Sequence, residues 1–222
     1  MEDIYYRVQS KKAYYQKQIV LFPYMTYYLC IGLELDEEGF DNMSKKVLII
    51  SSSLRSNSNS DKMAEEAFRG AKVAGHDVNI ISLKNKDLRF CKGCLACQNT
   101  RQCVILDDMD IMIEQVREAE VLIFVSPIYY NGMSGQLKTF LDRCNPLYVQ
   151  EYKFREVYLL TTSAEEGEDV YQRAASGING WVKCFKEAKF KGVFNGGGVN
   201  APGEIKSQAD ILKRAYAIGH NI

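Results

Sequence analysis

A short apolar run that empties into a loop of hydroxyl and amide side chains constrains this chain most. Val47 to Ile50 are all aliphatic, and serines, asparagines and one arginine crowd into residues 51–60. A continuous β-branched and aliphatic run is typical of a strand buried on both faces of a parallel sheet. Apolar residues then recur at helical spacing over residues 61–75. The sequence therefore predicts a strand, a polar loop and a helix within an α/β fold.

The polar loop has the chemistry of an anion site. A helix N-terminus presents unpaired N–H groups and partial positive charge, and Arg55 adds a full charge in a planar fork. Serine and asparagine are also common in such loops simply as turn and cap residues, so both interpretations stay open here. Neither G-x-x-x-x-G-K-[ST] nor G-x-G-x-x-G follows the strand, which disfavours a P-loop and a dinucleotide site.

The first forty-two residues differ from the rest, since they hold seven of the fourteen tyrosines and show no clear period. Gln18 to Leu33 is uncharged but short for a transmembrane span, and no cleavage site of a signal peptide follows it. Glu-Glu-Gly at residues 37–39 has purine-rich codons that can spell a ribosome-binding site ahead of Met43. Residues 1–42 are therefore interpreted as an extension, either a mistranslated leader or a genuine amphipathic or membrane-lying segment.

The composition indicates which partners to expect. The chain carries 28 basic and 28 acidic residues, and no block of like charge is long enough to form an interaction tail. We therefore expect neither a nucleic-acid nor a membrane partner. The chain is 46% hydrophobic, enough for a substantial core.

Residues 43–222 are predicted to form one domain in which strands and helices alternate. Five strands with interleaved helices predict a doubly wound five-stranded parallel sheet in three α/β/α layers. In such sheets ligands bind beyond the carboxyl ends of the strands. The predicted strands are 47–50, 76–83, 121–127, 155–162 and 191–197, and the predicted helices are 61–75, 108–120, 135–144, 180–188 and 207–222.

Two motifs at the predicted rim resemble a known family. SSSLRSNSNS is similar to the S-G-S-x-R-x-x-S/G-N-[ST] loop of the flavodoxin-like NAD(P)H-dependent FMN reductases. SPIYYNGMSGQLKTFLDR is similar to their S-P-x-Y-x-x-x-x-x-x-x-x-K-x-F-x-D-R stretch. The resemblance covers residues 45–222 and departs at Ser52 and Leu54, where Gly and Pro are usual. It implies a bound FMN whose phosphate lies among Ser53, Arg55, Ser58, Asn59 and Ser60.

The second motif also suits a wall for the flavin ring. Tyr129 and Tyr130 offer flat faces just past a strand end, and Asn131 begins a turn whose N–H groups can meet a polar ring edge. Packing in the core or against a second subunit is the alternative for the two tyrosines, and a plain β-turn is the alternative for residues 161–163. The predicted cofactor-binding set is completed by Pro127, Ile128, Tyr129, Tyr130, Asn131, Thr162 and Ser163.

Four of the seven cysteines lie within thirteen residues, as C-x2-C-x2-C-x5-C. With no convincing secretory signal they are interpreted as thiols, and four soft thiolates in one loop can converge on one centre. The spacing resembles the compact motif of iron-sulfur flavoproteins, which join a 4Fe-4S cluster to FMN on this fold. Three assignments stay open, namely a cluster, free or redox-exchanging thiols, and zinc. The candidate ligands are Cys91, Cys94, Cys97 and Cys103.

The remaining cysteines and histidines are given no functional part. Cys30, Cys144 and Cys184 are isolated and are expected to be small packing residues or free thiols. His76 and His220 are expected on the surface.

The resemblance implies an FMN-dependent oxidoreductase that passes electrons from NAD(P)H to a flavin, a quinone or a similar small-molecule or protein acceptor. The protein's part is then positioning, so no catalytic acid or base is named. The alternatives are an iron-sulfur flavoprotein electron carrier fed by ferredoxin and a flavodoxin-like redox module without turnover. A cytoplasmic homo-oligomer, dimer or tetramer, is expected.

Overall fold

The structure is a computed structural model that describes residues 44–222. The interpretations of residues 1–42, including the uncharged segment and Cys30, lie outside the described residues. Within the described part, no helix combines the length and the apolar character that a membrane crossing requires. The strands are β1 Lys46–Ser51, β2 Asp77–Ser82, β3 Val121–Tyr129, β4 Gly132–Met133, β5 Glu156–Thr162 and β6 Lys189–Gly196, and the helices are α1 Asn59–Val73, α2 Ala96–Thr100, α3 Met109–Glu118, α4 Gly135–Arg143, α5 Glu168–Val182 and α6 Ala209–His220.

The sheet has the predicted doubly wound topology. Its strand order is β2-β1-β3-β5-β6, and every pair along this path is parallel. The chain moves from β1 to one side and returns to its other side at β3, so the switch point lies between the ends of β1 and β3. The short strand β4 was not predicted, and it pairs antiparallel with the end of β3.

Helices cover both faces of the sheet and complete the three layers. Alternate residues of β1 face opposite cores: Ile49 packs with Met63 of α1, whereas Ile50 packs with Phe140 of α4. The helices α1 and α6 approach closely, since a side chain on Gly219 would meet the carbonyl oxygen of Ala67. This contact packs the C-terminal half of α1 against α6.

One predicted helix was misplaced. The prediction over residues 180–188 overlaps α5 only up to Val182, because α5 begins at Glu168 and the chain turns after Val182. The signal for the true start is the acidic pair Glu168 and Asp169 in the first turn. The buried residues of α5 then recur four apart, at Val170, Ala174, Ile178 and Val182.

The prediction for His76 was wrong, whereas His220 is exposed as expected. His76 is buried at 4% exposure, its Nδ1 accepts the backbone N–H of Lys45 at 3.3 Å, and its Nε2 lies 3.2 Å from the carbonyl oxygen of Ile222. The ring therefore links the start of β1 to the C-terminus. Cys144 is a packing residue, whose burial raises the pKa of its thiol, and Cys184 is exposed.

Candidate functional site

The loops predicted to meet at one rim line a single cavity of about 130 Å³ at the carboxyl ends of β1, β3 and β5. Tyr130 and Asn131 are the two residues of the predicted binding set that do not line it. Ala164, Val199 and Asn200 line it as well and were missed from the sequence. The predicted residues that line it are Ser53, Arg55, Ser58, Asn59, Ser60, Pro127, Ile128, Tyr129, Thr162 and Ser163.

The N-terminus of α1 points its backbone donors toward this cavity. Ser58 is the N-cap, and its Oγ accepts the N–H of Asp61 at 3.2 Å. The first helical carbonyl bond is donated by Lys62 to Ser58 at 3.2 Å, so the N–H groups of Asn59 and Ser60 have no partner within the helix. A helix end with free donors and partial positive charge suits an anion.

The structure accounts for the serine at position 52, where the related motif has glycine. The Ser52 hydroxyl donates to the carbonyl oxygen of Val125 at 3.1 Å and accepts from Ser134 at 2.8 Å. Ser134 is the N-cap of α4 and accepts the N–H of Leu137 at 3.3 Å. The extra hydroxyl is thus used to tie β1 to β3 and α4, and Ser52 does not line the cavity.

A fourth loop, residues 197–205, closes the cavity beside Arg55. Arg55 Nη1 donates to the carbonyl oxygen of Asn200 at 2.6 Å. The amide of Asn59 donates to Ala201 at 2.9 Å and accepts the N–H of Ile205 at 3.2 Å. The side chain of Asn59 is therefore engaged with this loop, and what it presents to the cavity is its backbone N–H.

Glu204 fixes the shape of the fourth loop. Its Oε2 accepts the backbone N–H groups of Asn200 at 2.7 Å and Ala201 at 2.8 Å, and these two hydrogen bonds lower the pKa of the Glu204 carboxyl. Sequence reasoning missed this loop because its contacts with residues 55–59 span more than 140 positions.

The end of β5 is tied to both neighbours. Thr162 Oγ1 and Ser60 Oγ lie 2.7 Å apart in a buried hydrogen bond that joins β5 to α1. On the other side, Thr161 donates to Asn195 Oδ1 at 2.9 Å, and Asn195 Nδ2 donates to Ser163 at 3.0 Å. The loop at residues 161–163 is therefore held by side-chain hydrogen bonds as well as by the sheet.

A tight hairpin at the end of β3 carries the two tyrosines. Tyr129 pairs with Gly132, and the two residues between them, Tyr130 and Asn131, both have positive φ, at 50° and 61°. That geometry is typical of a two-residue type I′ hairpin, and a tyrosine in it is uncommon and strained. Tyr129 is half exposed and Tyr130 is fully exposed, so neither ring belongs to the core. Strained exposed turns are frequent at functional sites.

The four clustered cysteines are spread over one loop with unequal burial. Cys91 and Cys94 are exposed, Cys103 is half-buried, and Cys97 is buried, where its sulfur accepts from Asn145 Nδ2 at 3.1 Å. Among residues 44–222, no three Cys, His, Asp or Glu side chains converge in an arrangement that could hold a metal ion. The sequence-predicted metal ligands therefore share a loop but are not drawn together.

The parallel sheet and the polar loop at its switch point define a flavodoxin-like α/β protein. The sequence model of the NADPH-dependent FMN reductase family matches residues 45–184, and the chain belongs to this family.

Curated relatives of two kinds resemble the chain. It is 38% identical over 104 residues to an iron-sulfur flavoprotein of Methanocaldococcus jannaschii, covering 47% of this chain and 54% of that protein. It is 29% identical over 198 residues to a putative NAD(P)H-dependent FMN-containing oxidoreductase of Bacillus subtilis, covering 78% of this chain and 99% of that protein. The chain spans about half the length of the first iron-sulfur flavoproteins that it matches.

Solved structures share the fold. An NAD(P)H:quinone oxidoreductase from Methanothermobacter marburgensis superposes with a TM-score of 0.64 at 20% identity, covering 80% of this chain and 96% of that one. An azoreductase from Bacillus anthracis superposes with a TM-score of 0.58 at 15% identity, covering 80% of this chain and 100% of that one. At these identities the likeness establishes the flavodoxin-like fold alone.

Proposed function

We propose that the chain binds FMN and transfers electrons from NAD(P)H to a flavin, a quinone or a similar acceptor. The observation that carries this proposal is the convergence of four sequence-distant loops on one cavity at the N-terminus of α1. When bound, FMN supplies the hydride and electron chemistry, and the protein supplies position and surroundings. Membership of the NADPH-dependent FMN reductase family supports the same conclusion.

The residues at the cavity fit the phosphate end of FMN. The hydroxyls of Ser53 and Ser58 and the first N–H groups of α1 offer neutral donors, and Arg55 offers a full positive charge. A volume of about 130 Å³ is below the range of pockets that enclose a whole ligand, so it suits a phosphate and the start of the attached chain. The exposed rings of Tyr129 and Tyr130 are then available beside the cavity for the flavin ring.

The cavity lining favours positioning over acid–base catalysis. Arg55 and Tyr129 are its only titratable side chains among the described residues, and no carboxylate or histidine lines it. We therefore assign no proton-transferring residue.

Steady-state oxidation of NADH and NADPH by the purified protein, with a quinone as acceptor, tests this function. The proposal expects oxidation that depends on added or retained FMN. Flavin-loaded protein that oxidises neither nucleotide but accepts electrons from reduced ferredoxin would favour the electron-carrier alternative. Flavin-loaded protein that does neither would favour a redox module without turnover.

A second candidate is a 4Fe-4S centre on the cysteine loop that exchanges electrons with FMN. The spacing of Cys91, Cys94, Cys97 and Cys103 supports it, together with the relatives named iron-sulfur flavoproteins. The donor set fits in its chemistry, because four thiolates in one segment are the usual ligands of such a cluster, although the four side chains do not converge in the described part of the chain. Zinc and free thiols are the rival occupancies.

Anaerobic reconstitution with iron and sulfide tests the cluster. The candidate expects iron-sulfur absorbance that is lost when any one of the four cysteines is changed to serine, while the FMN signal survives. Wild-type protein that holds no stoichiometric iron after reconstitution would leave zinc or free thiols.

A homo-oligomeric state and a cytoplasmic location form part of the proposal. Large apolar side chains are exposed on the described surface, among them Phe90, Leu106, Ile111, Tyr130 and Tyr148. Exposed apolar side chains of this size favour a protein contact when they lie together. Free thiols at Cys91 and Cys94 suit a reducing compartment.

A further inference from the structure

A fully buried ion pair closes the cysteine loop, defined here as residues 89–107. The side chains of Arg143, at the end of α4, and Asp107 are both without solvent exposure. Arg143 Nη1 and Nη2 donate to the two carboxylate oxygens of Asp107 at 2.5 and 2.9 Å. The same two nitrogens donate to the carbonyl oxygens of Arg89 at 2.8 Å and Ile105 at 3.1 Å. One guanidinium thus holds both ends of the loop that carries the four cysteines.

Asp107 also binds the backbone at both ends of the loop. Its carboxylate accepts the backbone N–H groups of Arg89 at 2.9 Å and Met109 at 3.1 Å as well as both Arg143 nitrogens. Burial alone would raise the pKa of this carboxyl, but the hydrogen bonds from Arg143 and the two backbone groups hold it below its usual value. Removing one partner of such a pair leaves a buried charge without compensation, whereas replacing both can be nearly neutral.

One donor of Arg143 is not accounted for by this arrangement. Among the described residues, its Nε is the buried side-chain nitrogen or oxygen that has no hydrogen-bond partner. Buried donors are rarely left unpaired, because an unmade hydrogen bond does not recover the cost of desolvation. The orphan therefore indicates an acceptor that completes the site.

Cys103 is the candidate for that acceptor. Cys103 and Arg143 line the same cavity of about 330 Å³. Desolvation would lower the pKa of Arg143, yet the hydrogen bond to Asp107 and the adjoining Cys103 sulfur together raise it. The Cys103 sulfur adjoins the guanidinium, yet the Nε–H has no hydrogen bond of standard geometry with it.

We propose that Arg143 is a positioning residue that holds the sulfur of Cys103 through its Nε–H. Cys103 then joins the buried Cys97, which Asn145 holds, as a cysteine fixed to the core of the domain, whereas Cys91 and Cys94 are exposed. If the sulfur ligates iron, a donor of this kind orients the ligand and raises the reduction potential of the cluster. Only this last consequence rests on the second candidate function.

A double-mutant cycle on unfolding tests the contact without any metal. Cys103→Ala, Arg143→Lys and the double variant are compared with the apo wild type by urea denaturation. Lysine keeps the charge that faces Asp107 but has no Nε–H to give. The proposal expects the two changes to be non-additive by at least about threefold in the unfolding equilibrium constant. A parallel cycle with the exposed Cys94→Ala in place of Cys103→Ala is expected to be additive, and additivity in both cycles would overturn the proposal.

If Arg143→Lys does not fold, the paired replacement Arg143→Met with Asp107→Leu serves as the second background, since it removes both charges. Cys103→Ala is then expected to raise the unfolding equilibrium constant more in the wild type than in this double variant, by a factor of at least about three. Equal destabilisation in the two backgrounds would contradict the contact.

The reduction potential of the reconstituted cluster gives a readout that a purely structural role would not move. Arg143→Lys is expected to shift the midpoint toward more negative values, while Arg101→Lys, whose side chain lines the same cavity, leaves it unchanged. An unchanged midpoint in iron-loaded Arg143→Lys would overturn the proposal. If the wild type holds no iron, the second candidate function fails, and the unfolding cycle still decides the role of Arg143.

Discussion

The hydroxyls of Ser60 and Thr162 lie 2.7 Å apart in a buried hydrogen bond that joins the first turn of α1 to the end of β5. The two residues are 102 positions apart, and each was predicted separately to bind the cofactor. Their contact makes two of the site's loops into one unit, so that the donors of α1 are held in place by the sheet.

Thr162→Val removes this bond and leaves the Ser60 hydroxyl buried without its partner. We expect the free energy of unfolding to fall by about 1–3 kcal/mol, measured by urea denaturation, and FMN to bind more weakly. Thr139→Val is the matched control, because Thr139 is equally buried but donates to Gly135 within its own helix. FMN affinity unchanged by Thr162→Val would separate this bond from the binding site.

Arg55→Ala is expected to weaken FMN much more than riboflavin, because the phosphate is the proposed partner of the guanidinium. A charge-assisted hydrogen bond contributes about 1.5–3 kcal/mol, so the dissociation constant for FMN is expected to rise about tenfold to a hundredfold. Fluorescence titration with both flavins measures the difference. Arg69→Ala, at an exposed salt bridge with Glu66 on α1, is the control and should change neither affinity. Equal losses for FMN and riboflavin would place Arg55 away from the phosphate.

The sequence predicted the central sheet well because its signals are local. A run such as Val47–Ile50 has the composition of a doubly buried strand, and the following Ser58 is a preferred N-cap. Contacts between residues far apart in the sequence leave no local signal. The hydrogen bond from Arg55 to Asn200 and the burial of His76 were therefore not predicted. The start of α5 had a local signal in Glu168 that the prediction overlooked.

Glu156 makes the stability of the domain depend on pH. Burial alone would raise the pKa of this carboxyl, but the hydrogen bond from Tyr158 and the charges of Lys45 and Lys191 hold it below its usual 4.5. Because the folded pKa is the lower one, the carboxylate stabilises the fold fully above 4.5. The contribution is lost as the pH falls below that value and through the folded pKa.

Urea denaturation between about pH 6 and pH 3 should therefore show a shallower acid-induced loss of stability in Glu156→Gln than in the wild type. Glu151→Gln changes an exposed carboxylate and serves as the control. If the free energy of unfolding falls equally steeply with pH in the wild type and in Glu156→Gln, Glu156 does not cause the pH dependence.

A chain that begins at Met43 is expected to fold and bind FMN like the full chain, because every strand and helix described here lies between Lys46 and His220. Circular dichroism, thermal unfolding and FMN titration of the two chains provide the comparison. Loss of solubility or of FMN binding in the shorter chain would contradict the interpretation of residues 1–42 as a leader.

The flavin content of the anaerobically purified protein tests the central claim most directly. Its ultraviolet-visible spectrum, followed by chromatography of the cofactor released on denaturation, identifies and counts the flavin, and iron-sulfur bands are distinguishable in the same spectrum. The account predicts FMN at about one per chain, or uptake to that ratio when FMN is added. Protein that carries no flavin and binds FMN no better than riboflavin would contradict it.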